Sequence, residues 1–205
     1  MNELKCIVAK SLLKEGLVMF GEFRLRKHHE NIALSPAKFY IDLRPVESLI
    51  VLRELVVDLL RREMEERDLF LDYLADVPTA FTPVVAILSY LTGIPMISPR
   101  REKKTYGTGR SINGKFEKGK KVLLIDDLIT DAGSKLLVIK TLEAEGLIVG
   151  DVLVLIDREE GGPEKLEEGG YRFHSVFAWS ELLAFYAEEG LLTNQQYMEF
   201  IHHSP

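Results

Sequence analysis

Val122-Leu-Leu-Ile-Asp126-Asp127-Leu128-Ile129-Thr130-Asp131-Ala132-Gly133-Ser134 is the stretch on which the fold of this chain turns. The unbroken apolar run from Val122 to Ile125 has the pattern of a strand covered on both faces. It runs into two adjacent carboxylates and a short turn of small and hydroxyl residues. A helical stretch follows from Ser134 to Glu145, closed by Gly146. A second buried run, Val152 to Ile156, ends in Asp157-Arg158. Upstream, an apolar stretch around Leu69 to Val77 precedes a helix that Thr82 is placed to cap, with Pro83 at its first position. Ile94 to Ser98 reads as a further strand. Between Glu47 and about Asp68, Leu49, Leu52, Leu55, Val56, Leu59, Leu60 and Met64 recur at helical spacing, opposite a solvated face with Arg53, Arg61, Arg62 and Glu66. Strands alternating with helices of this length predict an α/β fold: a doubly wound parallel sheet with right-handed crossovers.

The ends of the chain add helices. Leu4, Ile7, Val8, Ser11 and Leu12 share one face of an opening helix stopped at Gly16. Near the other end, Ser180 before Glu181 marks one helix start, and Thr193 three residues before Gln196 forms a capping box for another. With 205 residues, 46% of them hydrophobic, the chain has enough core to fold without a staple. A single cysteine, Cys6, excludes an internal disulfide and a Cys-rich zinc site, and fits a reducing cytoplasm. The net charge of -6 disfavours a non-specific nucleic-acid binder. No apolar run approaches the ~20 residues of a membrane span, and Met1 to Lys10 has no signal-peptide core, so a cytoplasmic protein without membrane contact is expected.

Ligands of open parallel sheets bind beyond the carboxyl ends of the strands. The turn from Thr130 to Ser134 offers backbone N–H groups and a helix N-terminus to a phosphate monoester. Asp126 and Asp127 would repel that phosphate, but they suit sugar hydroxyls, or a magnesium ion through water. Together these halves match a ribose 5-phosphate; a βα turn whose acids merely cap the helix is the alternative at this point. No Gly-Lys-Ser/Thr follows, which excludes a Walker loop. Arg158, at the second strand end, is placed to pair bidentately with a planar carboxylate. Between the two ends, Pro99 to Ser111 carries five cations (Arg100, Arg101, Lys103, Lys104, Arg110) against one anion, Glu102. Such a segment has little to bury and would suit a polyphosphate covered only when bound; a solvated connecting loop is the alternative. The pairs His28-His29 and His202-His203 lack further spaced ligands and receive no metal role. Trp179, Tyr171 and Phe173 are most simply core or contact aromatics.

These segments resemble the orotate phosphoribosyltransferases, including the transferase half of UMP synthases. Asp126 to Ser134 is similar to the signature for phosphoribosyl pyrophosphate (PRPP) of type I phosphoribosyltransferases. Arg100-Arg101-Glu-Lys-Lys104-Thr-Tyr106-Gly107-Thr108 matches the family's catalytic loop. Phe20-Gly21-Glu-Phe23, Tyr40-Ile-Asp-Leu-Arg44, Val77-Pro78-Thr79-Ala80, Asp157-Arg158-x-x-Gly161-Gly162 and His174-Ser175 occur in family order. The resemblance implies a helix and hood segment over residues 1–45 and a transferase core with C-terminal helices over 46–205. It implies ribose hydroxyls on Asp126 and Asp127 with Mg2+ nearby, and the 5-phosphate on Thr130 to Ser134. Pyrophosphate would lie under Arg100, Arg101, Lys104 and Tyr106, with Arg101, Lys104 and Asp127 as the catalytic groups. Orotate would lie against Arg26, Tyr40, Thr130 and Arg158. It also implies a homodimer in which the loop completes the neighbouring site.

Beyond the milder changes of Arg101 for the usual lysine and Tyr106 for the common histidine, and a longer connection from Arg26 to Ser35-Pro36, three positions depart most from the family pattern. Arg26 stands where a lysine normally reaches substrate. Asp76 puts a carboxylate ahead of Val77-Pro78, where it would repel pyrophosphate unless turned away or bound to metal. Phe81 replaces a glycine and is expected to narrow the place where backbone meets ligand. A transferase for another nucleobase, or a non-catalytic PRPP sensor, are the alternative functions that such departures leave open.

Overall fold

The computed structural model describes residues 1–24, 36–100 and 110–201. Helix α1 (Glu3–Lys14) opens the chain; it buries Val8, Ala9 and Leu12 and leaves Ile7 exposed. Strands β1 (Val18–Phe23) and β2 (Ala37–Ile41) pair antiparallel in a small sheet of their own. A 3-10 turn at Arg44–Glu47 leads into α2 (Ile50–Glu66), so the periodic stretch begins later than expected, because Pro45 opens a separate tight turn. The chain continues through β3 (Tyr73–Asp76), α3 (Thr82–Thr92), β4 (Met96–Pro99), β5 (Ile112–Asn113) and β6 (Lys121–Ile129). It ends with α4 (Gly133–Ala144), β7 (Ile148–Asp157), α5 (Gly162–Glu168), β8 (Arg172–Ala178), α6 (Trp179–Glu188) and α7 (Asn194–Ile201).

The main sheet runs in the order β5-β4-β3-β6-β7-β8, parallel throughout except for β5 at the edge. From β3 the chain first adds β4 on one side and then β6 on the other. The topological switch therefore lies between β3 and β6, where such sheets bind ligands. Alternation along the strands gives each face its own core. Leu123, Ile125, Leu153 and Leu155 join Leu12, Phe39, Val56, Leu60, Leu88 and Trp179. Val122, Leu124, Val152 and Val154 join Ile139, Leu142 and Leu166 on the opposite face.

Three local expectations change. Strand β6 extends through Asp126 and Asp127 to Ile129 instead of stopping at Ile125, because β7 runs alongside and pairs Leu128 with Ile156 and Ile129 with Asp157. Phe81, not Thr82, is the N-cap of α3; Thr82 takes the first turn and spends its hydroxyl on Asp76. Helix α6 starts where Ser180 indicated, yet its cap comes from far away: the Glu159 carboxylate accepts from Ser180 N at 2.7 Å and from Ser180 Oγ at 2.9 Å. The Thr193–Gln196 box forms reciprocally, at 2.9 and 3.2 Å.

Gly162 shows how tightly the loops after β6 and β7 are set together. A Cβ built there would fall on the Thr130 carbonyl oxygen and the Ile129 side chain. Since the obstruction is backbone, Gly162→Ala is expected to lower stability by about 1–3 kcal/mol, the usual range for overpacking. Thermal unfolding checks this; a melting temperature equal to that of the wild type would contradict it.

Candidate active site

The parallel register of β6 and β7 brings two strand ends side by side. Asp126 pairs with Val154 and Ile129 with Asp157, and Arg158 N then donates to Ile129 O at 3.1 Å, so the pairing outlasts the strands. The acid pair and Arg158 therefore emerge from neighbouring positions. Alternation sends the two carboxylates apart. Asp126 shares a face with Val122 and Leu124, covered by α4, whereas Asp127 points to the other side, towards Arg44, whose pKa is raised chiefly by Asp42 and, to the smallest extent, by Asp127.

Asp126 is buried and fully engaged. Its Oδ1 accepts from Asp127 N at 2.9 Å and its Oδ2 from Lys135 Nζ at 2.5 Å; the same ammonium donates to Leu128 O at 2.6 Å. Asp127 is half-buried and its Oδ1 accepts from Leu128 N at 2.7 Å. Burial first, and the neighbouring Asp126 charge second, push the Asp127 carboxyl up to about 7, against the Leu128 amide and Lys135, which pull it down.

The turn after β6 is less open to phosphate than its composition indicated. Ala132 adopts the left-handed conformation at φ 63° as N-cap of α4, and Asp131 Oδ1 accepts from Gly133 N at 3.1 Å. A phosphate taking the Gly133 amide displaces Asp131 from it. Thr130 is half-buried, and Gly133 and Ser134 are exposed.

Arg158 is buried and its guanidinium lies 5.0 Å from the centre of the Phe39 ring. Phe39 in turn stacks on Trp179 at 4.2 Å, so a core aromatic and a hood strand fix the plane of the arginine; Trp179 is the core residue its type indicated. Glu160 Oε1 comes within 2.6 Å of Arg158 Nη2 without the angle a hydrogen bond needs, and Arg158 Nε has no hydrogen-bond partner among the described residues. Burial pulls the guanidinium's pKa down and the Glu160 and Tyr40 charges oppose this. The result is a held, flat cation with donors left over, which is what a planar carboxylate would use.

Tyr40 stands beside this arginine. Its ring packs on Phe23 at 5.7 Å and its hydroxyl accepts from Arg44 Nη2 at 3.3 Å, while Arg44 grips Asp42 at 2.7 Å through each of two nitrogens. Arg100 follows β4; its backbone N donates to Ser111 O at 2.8 Å and its buried Nε lacks a hydrogen-bond partner among the described residues. Arg26, Arg101, Lys104 and Tyr106 lie outside the described residues.

The two departures on β3 and α3 are resolved by packing. Asp76 is fully buried with its carboxylate turned onto the Thr82 hydroxyl, and Phe81 is absorbed in the main core. Asp76 is thus turned away onto a hydroxyl, with its buried Oδ1 lacking a hydrogen-bond partner among the described residues, and the Phe81 ring lies in the core. Among the described residues no three His, Cys, Asp or Glu side chains converge as metal ligands. With Asp126 spent on Lys135, Asp127 is left as the carboxylate of the pair that could hold a divalent cation, through water.

Three contributors escaped the sequence reading, Lys135, Phe39 and Glu160, while Arg44 closes the Tyr40-Ile-Asp-Leu-Arg44 motif without an assigned role. A signal existed for Lys135. It falls in the buried stripe of α4 with Ala132, Ile139 and Leu142, where a cation is out of place. Phe39 and Glu160 had no signal, since their contacts join distant segments or depend on the exact turn.

No protein-family model matches the chain. Among curated relatives, orotate phosphoribosyltransferase of Pyrococcus horikoshii is 33% identical over 171 residues, covering 83% of this chain and 89% of that protein. The chain belongs to the orotate phosphoribosyltransferase family. Uridine 5'-monophosphate synthase of Caenorhabditis elegans is 31% identical over 95% of this chain, which spans 38% of that longer protein. Of solved structures, UMP synthase of Leishmania donovani superposes with a TM-score of 0.83 at 29% identity over 97% of this chain and 41% of that one. Orotate phosphoribosyltransferase of Aeropyrum pernix gives 0.75 at 29% identity, covering 90% and 99%. The mostly parallel sheet is the family's fold.

The raised Asp127 carboxyl has a consequence for stability. A carboxyl whose folded pKa exceeds its unfolded value loses stabilisation as pH rises from about 4 through about 7, because only the folded state resists ionisation. Asp127→Asn should therefore be more stable than the wild type at pH 8 by about 1–2 kcal/mol, allowing for partial exposure, and the gain should shrink towards pH 5. Thermal melts across this range check the sign; a variant that loses stability at pH 8 would contradict it.

Proposed function

We propose that the chain is an orotate phosphoribosyltransferase, a pentosyltransferase that moves the phosphoribosyl group of PRPP onto orotate with Mg2+, giving orotidine 5-phosphate and pyrophosphate in de novo pyrimidine biosynthesis. The observation that carries this reading is the adjacency of Asp127 and Arg158 on neighbouring strand ends, a hydroxyl acceptor beside a flat, underused cation. Asp127 takes the ribose hydroxyls, with Asp126 behind it, and the turn from Thr130 through Asp131, Ala132 and Gly133 to Ser134 takes the 5-phosphate. Leu128 and Ile129 set that turn by their backbone pairing. Arg158 grips the orotate carboxylate, with Tyr40, Thr130 and Arg26 around the base.

Pyrophosphate departs as the anomeric carbon becomes oxocarbenium-like, and the base nitrogen attacks from the opposite face. Arg100, Arg101, Lys104 and Tyr106 receive the leaving charge, so no covalent nucleophile is needed. Mg2+, when bound, supplies further neutralisation of the pyrophosphate oxygens; Asp127 would hold it through water. The enzyme works as a homodimer in which the segment bearing Arg101 and Lys104 completes the partner's site, as the family resemblance implies. Cys6, a free thiol, supports a reducing cytoplasm as its compartment. No helix among the described residues is long and apolar enough to cross a membrane.

The test is an assay of pyrophosphate release with PRPP, orotate and Mg2+, on the wild type and on Arg158→Ala. Losing a buried guanidinium–carboxylate pair should raise the Michaelis constant for orotate roughly 30-fold or more and leave that for PRPP nearly unchanged. Turnover with another nucleobase and none with orotate would overturn the assignment.

A further inference from the structure

Lys135 is costly twice over. It is 3% exposed, so its ammonium is removed from water, and it occupies the first turn of α4, where the helix dipole opposes a cation. An apolar side chain would fill a stripe shared with Ile139 and Leu142 at lower cost. Its two partners show what offsets the cost: Asp126 Oδ2 at 2.5 Å and Leu128 O at 2.6 Å, on either side of Asp127. The ammonium thus ties the end of β6 to the start of α4 around the turn read above as the phosphate site.

We propose that Lys135 is a positioning residue of the transfer reaction: it is the chain's own fixed counter-cation for Asp126, holding that carboxylate on the α4 side and leaving Asp127 as the acid presented to the ribose. The proposal rests on the transferase reading of the site. Two consequences follow from charge alone. One of two negative charges is cancelled where a polyanionic sugar pyrophosphate must sit. And the protein by itself does not offer Asp126 and Asp127 as a paired site to a divalent cation.

Lys135→Gln, which keeps an N–H donor without the charge, and Lys135→Met, which keeps the bulk, test this. Removing one fixed charge near the substrate should raise the Michaelis constant for PRPP on the order of tenfold, with kcat held within about threefold. A fall in kcat at unchanged Michaelis constant is the signature of lost folded enzyme and would overturn the proposal. Titration with Mn2+ alone, followed by electron paramagnetic resonance, gives a readout free of turnover. The variants should bind the ion on the order of tenfold more tightly than the wild type, because the fixed cation beside Asp126 no longer repels it; equal affinity overturns the proposal. A wild-type chain that itself depletes the free Mn2+ signal without pyrophosphate would overturn it too, even if neither variant folds. Should the wild type make no orotidine 5-phosphate, the function assigned above fails while the Mn2+ arm still decides the role of Lys135.

Discussion

The pairing of β6 with β7 is the constraint on which the site depends. Two parallel strands whose buried runs end in register must deliver their following loops together, and here the pairing continues past the strands through Arg158 N and Ile129 O. Gly162 lets the second loop close over the Thr130 carbonyl, where any side chain would intrude. Asp127 and Arg158 thus emerge from neighbouring strands without any direct bond between them.

Electrostatics then divides the labour. Adjacent carboxylates at a strand end repel one another, and alternation relieves this by sending them to opposite faces. Lys135 neutralises the one facing α4, while Asp127 is left half-buried with its carboxyl pushed up to about 7. Arg158 is treated in the opposite way: the Phe39 ring supports its face and Glu160 lies near one nitrogen, but Nε stays unspent. In both places the fold holds a charge in position without using up all its bonding capacity.

Much of this was legible in the sequence because it rests on local pattern. Apolar runs located β6 and β7, the Thr193–Gln196 box located α7, and a strand–turn–helix located the acid pair. What escaped depends on partners far away in the chain. Phe39 meets Trp179 and Arg158 only after the hood folds back. Residue type alone could not say where Asp76 and Phe81 turn: a hydroxyl six residues on takes one carboxylate oxygen, and the core accepts the aromatic ring. The end of β6 was misjudged because its polar residues, 126 and 127, look like a loop until β7 supplies hydrogen-bond partners.

Family membership and the geometry at the ends of β6 and β7 support the proposal of a site for a phosphorylated sugar. Isothermal titration calorimetry of PRPP with Mg2+ into the wild-type chain tests that claim most directly. The account predicts saturable heat at one ligand per chain; a flat titration at high protein concentration would contradict it.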